Sequence, residues 1–146
     1  MSIIPLLGQA GTGAQSEQEA LPLYREVDWD FSADRPVWRS GSPVFTTGAR
    51  AVMVWAWNAL HVQRCARDIY SADYGLELAE LLGRGCSPEV RQAEAERIVR
   101  EALLINPYIT AVTGVETDFE GSALRLSLRL DTVYGEVDLD DIRIKL

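Results

Sequence analysis

The chain has 146 residues, of which 47% are hydrophobic and 25% are charged, so it is long enough to form one globular domain with its own core. Its net charge of −8 argues against a nucleic-acid-binding protein, because phosphate binding requires clustered lysine and arginine. No apolar run approaches the roughly 20 residues of a membrane span, so we expect no membrane insertion.

The first 20 residues predict a flexible N-terminal arm, because residues 8–20 are rich in glycine, glutamine, serine and alanine and have little to bury. Residues 21–146 are then expected to form a single domain. The N-terminus lacks the basic region of a signal peptide. Two cysteines are too few for a disulfide framework. Both features predict synthesis in the cytoplasm.

From Arg25 the sequence alternates as in a half-buried strand, with Val27, Trp29 and Phe31 on one side. The carboxylates of the other side, Glu26, Asp28 and Asp30, are expected to point into water. A working acid in a glycosidase needs an apolar pocket that raises its pKa. The alternation therefore predicts a wet strand face rather than a catalytic carboxylate pair.

A helix is predicted over residues 49–61, with Thr47 as its N-cap. It is apolar nearly all round, which indicates burial on every face, either against a sheet or under another subunit. Trp55 and Trp57 are two residues apart and cannot share a helix face. One of them is therefore a candidate interface anchor.

A second long helix is predicted to begin at Ser87-Pro88-Glu89 and to end near Leu104, since serine caps, proline suits the first position and an acid suits the positive end of the dipole. Its expected apolar stripe comprises Val90, Ala93, Ile98, Ala102 and Ile105. Between the two helices, residues 76–82 predict a short one, and Gly75 before it is expected to adopt a positive φ angle.

The C-terminal third predicts strands. Residues 109–119 and the alternating leucines 124, 126, 128 and 130 indicate an antiparallel hairpin with one wet face. The apolar parity changes near Asp140, which predicts a bulge. The final segment, residues 141–146, either pairs within its own domain or is donated to a neighbouring subunit. The expected fold class is α+β: a small, mostly antiparallel sheet with two to three helices on one face.

Residues with metal or nucleophile chemistry are few. His61 and Cys65 are four apart, yet a structural zinc site requires about four ligands, and only Cys86 could add a third soft one. No nucleophile elbow or phosphate-binding loop is present. We therefore expect neither a metal nor a cofactor, and no enzymatic activity.

Several short motifs, taken in order, resemble one known family. They are Val27-Asp28-Trp29-Asp30-Phe31, the apolar helix, the turn Ile69-Tyr70-Ser71-Ala72-Asp73-Tyr74-Gly75, and Ile105-Asn106-Pro107. In this order they resemble the small wedge, or sheath-initiator, proteins of contractile phage-tail baseplates, over residues 23–139. Some members of that family carry a lysozyme label.

The resemblance implies a structural wedge subunit of a virion tail, or of a headless contractile particle, that helps to initiate the sheath. The implied partners are other wedge proteins and the tail sheath protein, with tube or hub proteins as further candidates, in a sixfold assembly. A strand exchanged at a sheet edge offers the mechanism. The alternatives are a tail-associated cell-wall hydrolase and a generic cytosolic adaptor domain.

Related proteins often carry a Glu-Pro-Arg turn near residue 66, whereas this chain has Arg64-Cys65-Ala66-Arg67-Asp68. Arg67 with Asp68 either takes over the attachment role of that turn or forms a surface ion pair. The candidate interface residues are Trp55, Trp57, Arg64, Arg67, Asp68, Tyr70, Tyr74, Ile142, Ile144 and Leu146.

Overall fold

The structure, a computed structural model, describes residues 20–62, 75–78, 81 and 85–146. The strands and helices of this part are β1 (Arg25–Val27), β2 (Trp29–Asp30), β3 (Arg35–Pro36), β4 (Trp38–Arg39), β5 (Ser42–Pro43), β6 (Phe45–Thr47), α1 (Gly48–His61), α2 (Pro88–Leu104), β7 (Ile109–Glu120), β8 (Ala123–Thr132) and β9 (Gly135–Lys145). The predicted N-terminal arm lies outside the described residues.

The main sheet has three antiparallel strands in the order β7-β8-β9. Its central strand buries the four alternating leucines, while Arg125 and Arg129 are exposed on the opposite face. The core joins these leucines to the buried residues of α1 and α2, so both helices cover the same face of the sheet. The predicted α+β fold class, with its wet sheet face, is confirmed.

A bulge interrupts β9 where the sequence parity changes. Leu128 pairs with Leu139 and Leu126 pairs with Ile142, so three residues of β9 advance where β8 advances two. The bulge is accommodated at Asp141, whose φ is 51°. The Asp141 N–H donates to Ser127 Oγ at 3.2 Å. Because of this extra residue, both Leu139 and Ile142 face the core.

Helix α2 begins as predicted, with the Ser87 side chain accepting from the Val90 N–H at 3.4 Å and Pro88 in the first turn. Its predicted apolar stripe is wrong in part: Ala102 is buried and Ile98 packs against the core, but Val90, Ala93 and Ile105 are exposed. The buried face consists of Ala95, Val99, Ala102 and Leu103. The prediction therefore missed Ala95, Val99 and Leu103.

Helix α1 packs against β9, β1 and α2. Thr47 occupies the predicted N-cap position, yet its side chain makes no capping hydrogen bond. Six residues of the helix are buried, while Trp55 and Trp57 are half-buried and pack against the core. Two of its faces are therefore covered within the chain itself.

The predicted strand over residues 25–31 is broken at Asp28 into β1 and β2. The Asp28 N–H donates to the Val44 carbonyl at 2.7 Å, and the Asp28 carbonyl accepts from the Val37 N–H at 2.9 Å. Glu26 does not point simply into water: burial raises its pKa, partly offset by a hydrogen bond from the Tyr24 hydroxyl at 3.2 Å.

The predicted helix start at Leu76 is also wrong, because the Leu76 N–H donates to the Val62 carbonyl at 2.8 Å in a bridge beyond the end of α1. Gly75 has a φ of 98°, as predicted from its place after the turn. Most of residues 79–84 lie outside the described part of the chain.

Candidate protein-interaction site

A groove runs along the free edge of β9, between the end of that strand and helix α1. It encloses about 500 Å³ and is lined by Asp34, Trp57, His61, Asp141, Arg143, Ile144 and Lys145. We call it the open-edge groove. Only Trp57 and Ile144 among these seven residues were candidates from the sequence.

Trp57 forms the wall of the groove on the side of α1. Its indole packs against Phe31, with ring centroids 5.0 Å apart, and against His61 at 4.6 Å. The His61 Nδ1 lies 2.7 Å from the Trp57 carbonyl oxygen, one helical turn earlier. Aromatic contacts on two sides thus hold Trp57 in position.

Asp34 fixes the polar end of that indole. Its Oδ1 accepts hydrogen bonds from Trp57 Nε1 at 3.0 Å and from Trp29 Nε1 at 3.1 Å. These two donors, that of Trp57 first, hold the pKa of the Asp34 carboxyl below its usual value. The sequence around Asp34 indicated a turn, but an acceptor shared by two tryptophans 28 positions apart in the chain leaves no local pattern.

The backbone of β9 is exposed along the groove. The Leu146 N–H donates to the carbonyl of Ser122, the residue before β8, at 2.8 Å, and successive residues of a strand hydrogen-bond to opposite sides. Leu146 and Ile144 therefore bond to β8, while the N–H and C=O groups of Arg143 and Lys145 point to the free edge. Within the described residues, no side chain hydrogen-bonds to these outward groups.

A smaller apolar cavity of about 250 Å³ continues the groove towards the end of β9. Its apolar lining consists of Leu60, Val62, Leu76, Leu78, Ile144 and Leu146. The bridge between Leu76 and Val62 holds two of these residues together. Unlike the groove, the cavity faces the core side of the sheet.

The charges beside the groove lie on the wet face of the sheet. Glu120 forms ion pairs with Arg125 at 3.3 Å and with Arg143 at 3.2 Å. Arg125 also pairs with Asp141 at 3.1 Å. Asp118 lies opposite Arg125 in the β7–β8 register, so three carboxylates accompany the three cations once Lys145 is included, and Lys145 is the cation without an ion pair among the described residues.

The ten candidate interface residues do not form one cluster. Trp57, Ile144 and Leu146 meet at the groove and its cavity, whereas Trp55 lies against the core. Ile142 is 0% exposed and Ile144 is 6% exposed, both in the chain's own core. The last segment therefore pairs within its own domain, and the alternative of donation to a neighbouring subunit is not what the structure has. Arg64, Arg67, Asp68, Tyr70 and Tyr74 lie outside the described residues.

A second exposed surface lies at the other end of the main sheet, where Tyr108 contacts both Tyr24 and Tyr134. The Tyr108 hydroxyl donates to the Pro22 carbonyl at 2.5 Å. Of the nine exposed large hydrophobic residues in the described part of the chain, six cluster at this end: Leu21, Leu23, Leu104, Ile105, Val133 and Tyr134. We call it the apolar end.

The carboxylates considered for catalysis have structural partners. Asp28 binds Arg50 at 2.7 Å, and Asp30 accepts from the N–H groups of Ser32 and Ala33, both at 3.1 Å. In the described residues there is no group of three or more histidine, cysteine, aspartate or glutamate residues that could hold a metal ion. No helix in the same part of the chain is long and apolar enough to cross a membrane.

A small antiparallel sheet with an edge strand beside a groove is the kind of surface at which proteins bind other chains by strand addition. Comparison with known proteins gives the family. The model of the contractile injection system sheath initiator matches residues 25–135. A protein of the phage-like element PBSX, XkdS of Bacillus subtilis (strain 168), is 30% identical over 97 residues, which are 66% of this chain and 69% of the relative.

The chain therefore belongs to the sheath-initiator family of contractile injection systems. It is a structural component of a contractile tail, associated with the particle, and its role in starting the sheath implies contact with sheath and baseplate proteins. The predicted family is confirmed. The groove residues Asp34 and His61 lie within the matched range, while Arg143 and Lys145 follow it.

Proposed function

We propose that this protein is a wedge subunit of the baseplate that joins neighbouring baseplate proteins and starts the sheath by accepting a strand at the free edge of β9. The observation that supports the proposal is the pair of outward-facing backbone segments at Arg143 and Lys145, which border a groove with room for a further strand. Main-chain hydrogen bonds provide affinity in this mode of binding, and alternate side chains provide specificity.

The terminal segment acts as acceptor rather than donor in this proposal. Donation would remove Ile142 and Ile144 from the core, and burial of each isoleucine side chain is worth about 1.5–3 kcal/mol. Acceptance leaves both in place and satisfies backbone groups that otherwise bond to water. Acceptance is therefore the less costly mode for this chain.

The apolar end supplies the second contact that a joining subunit requires. It lies at the start of β9, whereas the groove lies at its end, and a strand of 11 residues spans roughly 35 Å at about 3.3 Å per residue. Two partners can thus bind without overlap. We assign the groove to the sheath and the apolar end to a neighbouring wedge protein, in a sixfold arrangement with tube or hub proteins as further neighbours.

The single domain formed by residues 21–146 is the unit that performs this role. Neither alternative, a cell-wall hydrolase or an adaptor unrelated to tails, gains support from a described feature. A hydrolase would need a carboxyl group in an apolar pocket beside a second one. Glu26 is partly desolvated, but its partner across the strand pair is Thr46.

Replacing Arg143 with proline tests the proposal. Proline removes the outward N–H and places its ring in the path of an added strand, and it is tolerated at sheet edges. Arg143→Pro should fold, yet it should lose at least tenfold in affinity for the sheath protein in a pull-down or by interferometry. The matched control, Arg143→Ala, keeps the N–H and loses only the side-chain charge, so it should bind the sheath protein more tightly than the proline variant.

Equal binding by the proline and alanine variants would show that β9 is not the acceptor edge. The same variants can be compared in baseplates, where the proline variant should support fewer sheaths per particle in electron micrographs.

A further inference from the structure

We propose that the open-edge groove is selective for an extended segment in which apolar and acidic residues alternate. This inference rests on the proposed function, because it specifies the chemistry of the strand that β9 accepts. The two faces of such a strand would lie in different surroundings, and the proposed selectivity follows from that difference.

The inner face of an added strand would meet apolar side chains. Side chains of neighbouring strands lie side by side on each face of a sheet, so every second residue of the guest would lie beside Ile144 and Leu146. The cavity there is lined by Leu60, Val62 and two further leucines, and also by His61 and Lys145. An apolar side chain in that position gains burial against the leucines and Val62, whereas a polar one loses water to these apolar walls.

The outer face of the guest would lie beside Arg143 and Lys145, whose side chains are exposed. Glu120 is already shared between two guanidinium groups, and Asp141 is engaged by Arg125. Lys145 has no ion pair among the described residues. Opposite charges on adjacent strands stabilise a sheet and like charges destabilise it, so this face favours glutamate or aspartate.

The acid on the α1 side of the groove does not reverse this preference. The Oδ1 of Asp34 already accepts two indole hydrogen bonds, which hold it against Trp29 and Trp57. The wet face of β9, where every second guest residue would lie, carries the cations. The guest that fits both faces is an alternating apolar and acidic segment of a partner protein.

Three capped nine-residue peptides test the inference on the full-length protein by calorimetry. In the first, valine alternates with glutamate; in the second, valine alternates with lysine; in the third, serine alternates with glutamate. The unmodified protein should bind the first about tenfold more tightly than the second, and should bind the third more weakly than the first. The double variant Arg143→Glu/Lys145→Glu should reverse the order of the first two.

Equal affinity for the glutamate and lysine peptides would overturn the charge selectivity, and a third peptide that binds as well as the first would overturn the apolar requirement. Absence of binding by every peptide would overturn the inference as a whole. None of these results decides the proposed function, which the sheath-binding comparison of Arg143→Pro with Arg143→Ala measures separately. Circular dichroism of the double variant establishes that its fold is retained.

Discussion

The two edges of the main sheet differ in what happens to their backbone groups. Along β7, the Val112 carbonyl accepts from Arg100 Nε at 3.3 Å and the Thr117 carbonyl accepts from Gln92 Nε2 at 3.4 Å. Both donors project from α2. Along the end of β9, no described side chain hydrogen-bonds to the outward-facing backbone groups.

Both edge strands contain a bulge, so the side-chain contacts of α2 are what distinguishes the β7 edge. The β7 ladder shifts register between Thr113 and Glu116, where Gly114 has a φ of 58°. Bulges and side-chain contacts are the usual means by which natural sheets avoid unwanted edge pairing. Among the described residues, side chains of α2 cover backbone groups at the β7 edge and none do so at the end of β9, so we expect strand addition to extend the sheet at β9 rather than at β7.

Deletion of residues 141–146 should have the largest effect. The segment contains Ile142 and Ile144, and loss of two buried isoleucine side chains costs about 3–6 kcal/mol, a large part of the roughly 5–15 kcal/mol that stabilises a domain. We expect the truncated protein to lose cooperative unfolding in urea, followed by circular dichroism. A truncated protein that unfolds at the original urea midpoint would mean that the segment is dispensable to the fold and free to leave it.

Opening the closed edge should have the next largest effect. Gln92→Ala/Arg100→Ala exposes the β7 carbonyls, so copies can pair head to tail through β7 and β9. Analytical ultracentrifugation should then detect association that increases with concentration. Arg97→Ala is the matched control, because Arg97 lies on the same helix and pairs with Glu94 and Glu101 instead of the sheet.

If the double variant remained folded and monomeric at the highest concentrations, the side chains of α2 would not be what closes the β7 edge. Adding Arg143→Pro to the double variant sharpens the comparison, since it should abolish the association by blocking β9.

Removing the carboxylate that holds Trp57 should cost less. Asp34→Ala deletes the acceptor of two hydrogen bonds and places alanine at a φ of 50°, which we expect to lower the free energy of unfolding by about 1–3 kcal/mol. Asp34→Asn keeps an acceptor and tolerates the backbone, so it should lose less.

The Asp34 comparison also predicts a pH dependence. The folded-state pKa lies below the unfolded value of 3.8, so the stability due to this carboxylate is present above pH 3.8 and is lost as the pH falls through the folded-state pKa. The difference between the unmodified protein and Asp34→Asn should therefore shrink in acid. A difference that stays constant down to pH 2 would show that ionisation of Asp34 is irrelevant.

The smallest effect concerns Gly75, which precedes the apolar cavity at the open edge. Its φ of 98° is costly for a residue with a Cβ atom, so Gly75→Ala should reduce stability by about 1 kcal/mol. Differential scanning calorimetry should record a lower Tm, whereas an unchanged Tm would indicate that the backbone adapts. Gly85, which is exposed and has no atom within 4 Å of an added Cβ, is the control position.

The parts of the fold that the sequence predicted are those with a strong local period. The alternating leucines of β8 predicted the hairpin and its wet face. The parity change at Asp140 predicted the bulge. Ser87-Pro88-Glu89 gave the start of α2 because capping is a local interaction. The predicted buried face of α2 was wrong in part: it contained Ala102 but missed Ala95, Val99 and Leu103, since several apolar residues around this helix left more than one face possible.

The site was harder to predict because it is assembled from distant segments. Trp57 and Ile144 were identified for their apolar character, but the direction of a backbone N–H at Arg143 depends on the pairing register with β8. The partnership of Asp34 with two indoles requires the β2–β3 turn and α1 to meet in space. The side-chain contacts that cover the β7 edge were not predicted for the same reason. Gln92 and Arg100 lie on a helix face whose sequence indicates only exposure to solvent.

The bulge at Asp141 also sets a limit on what can be added to the sheet. A strand that entered alongside Lys145 would find regular spacing as far as Arg143 and then a backbone that turns out of phase. The regular overlap would stop after about three residues, roughly 10 Å of extended chain. The bulge thus limits the length of a strand that could pair with the end of β9.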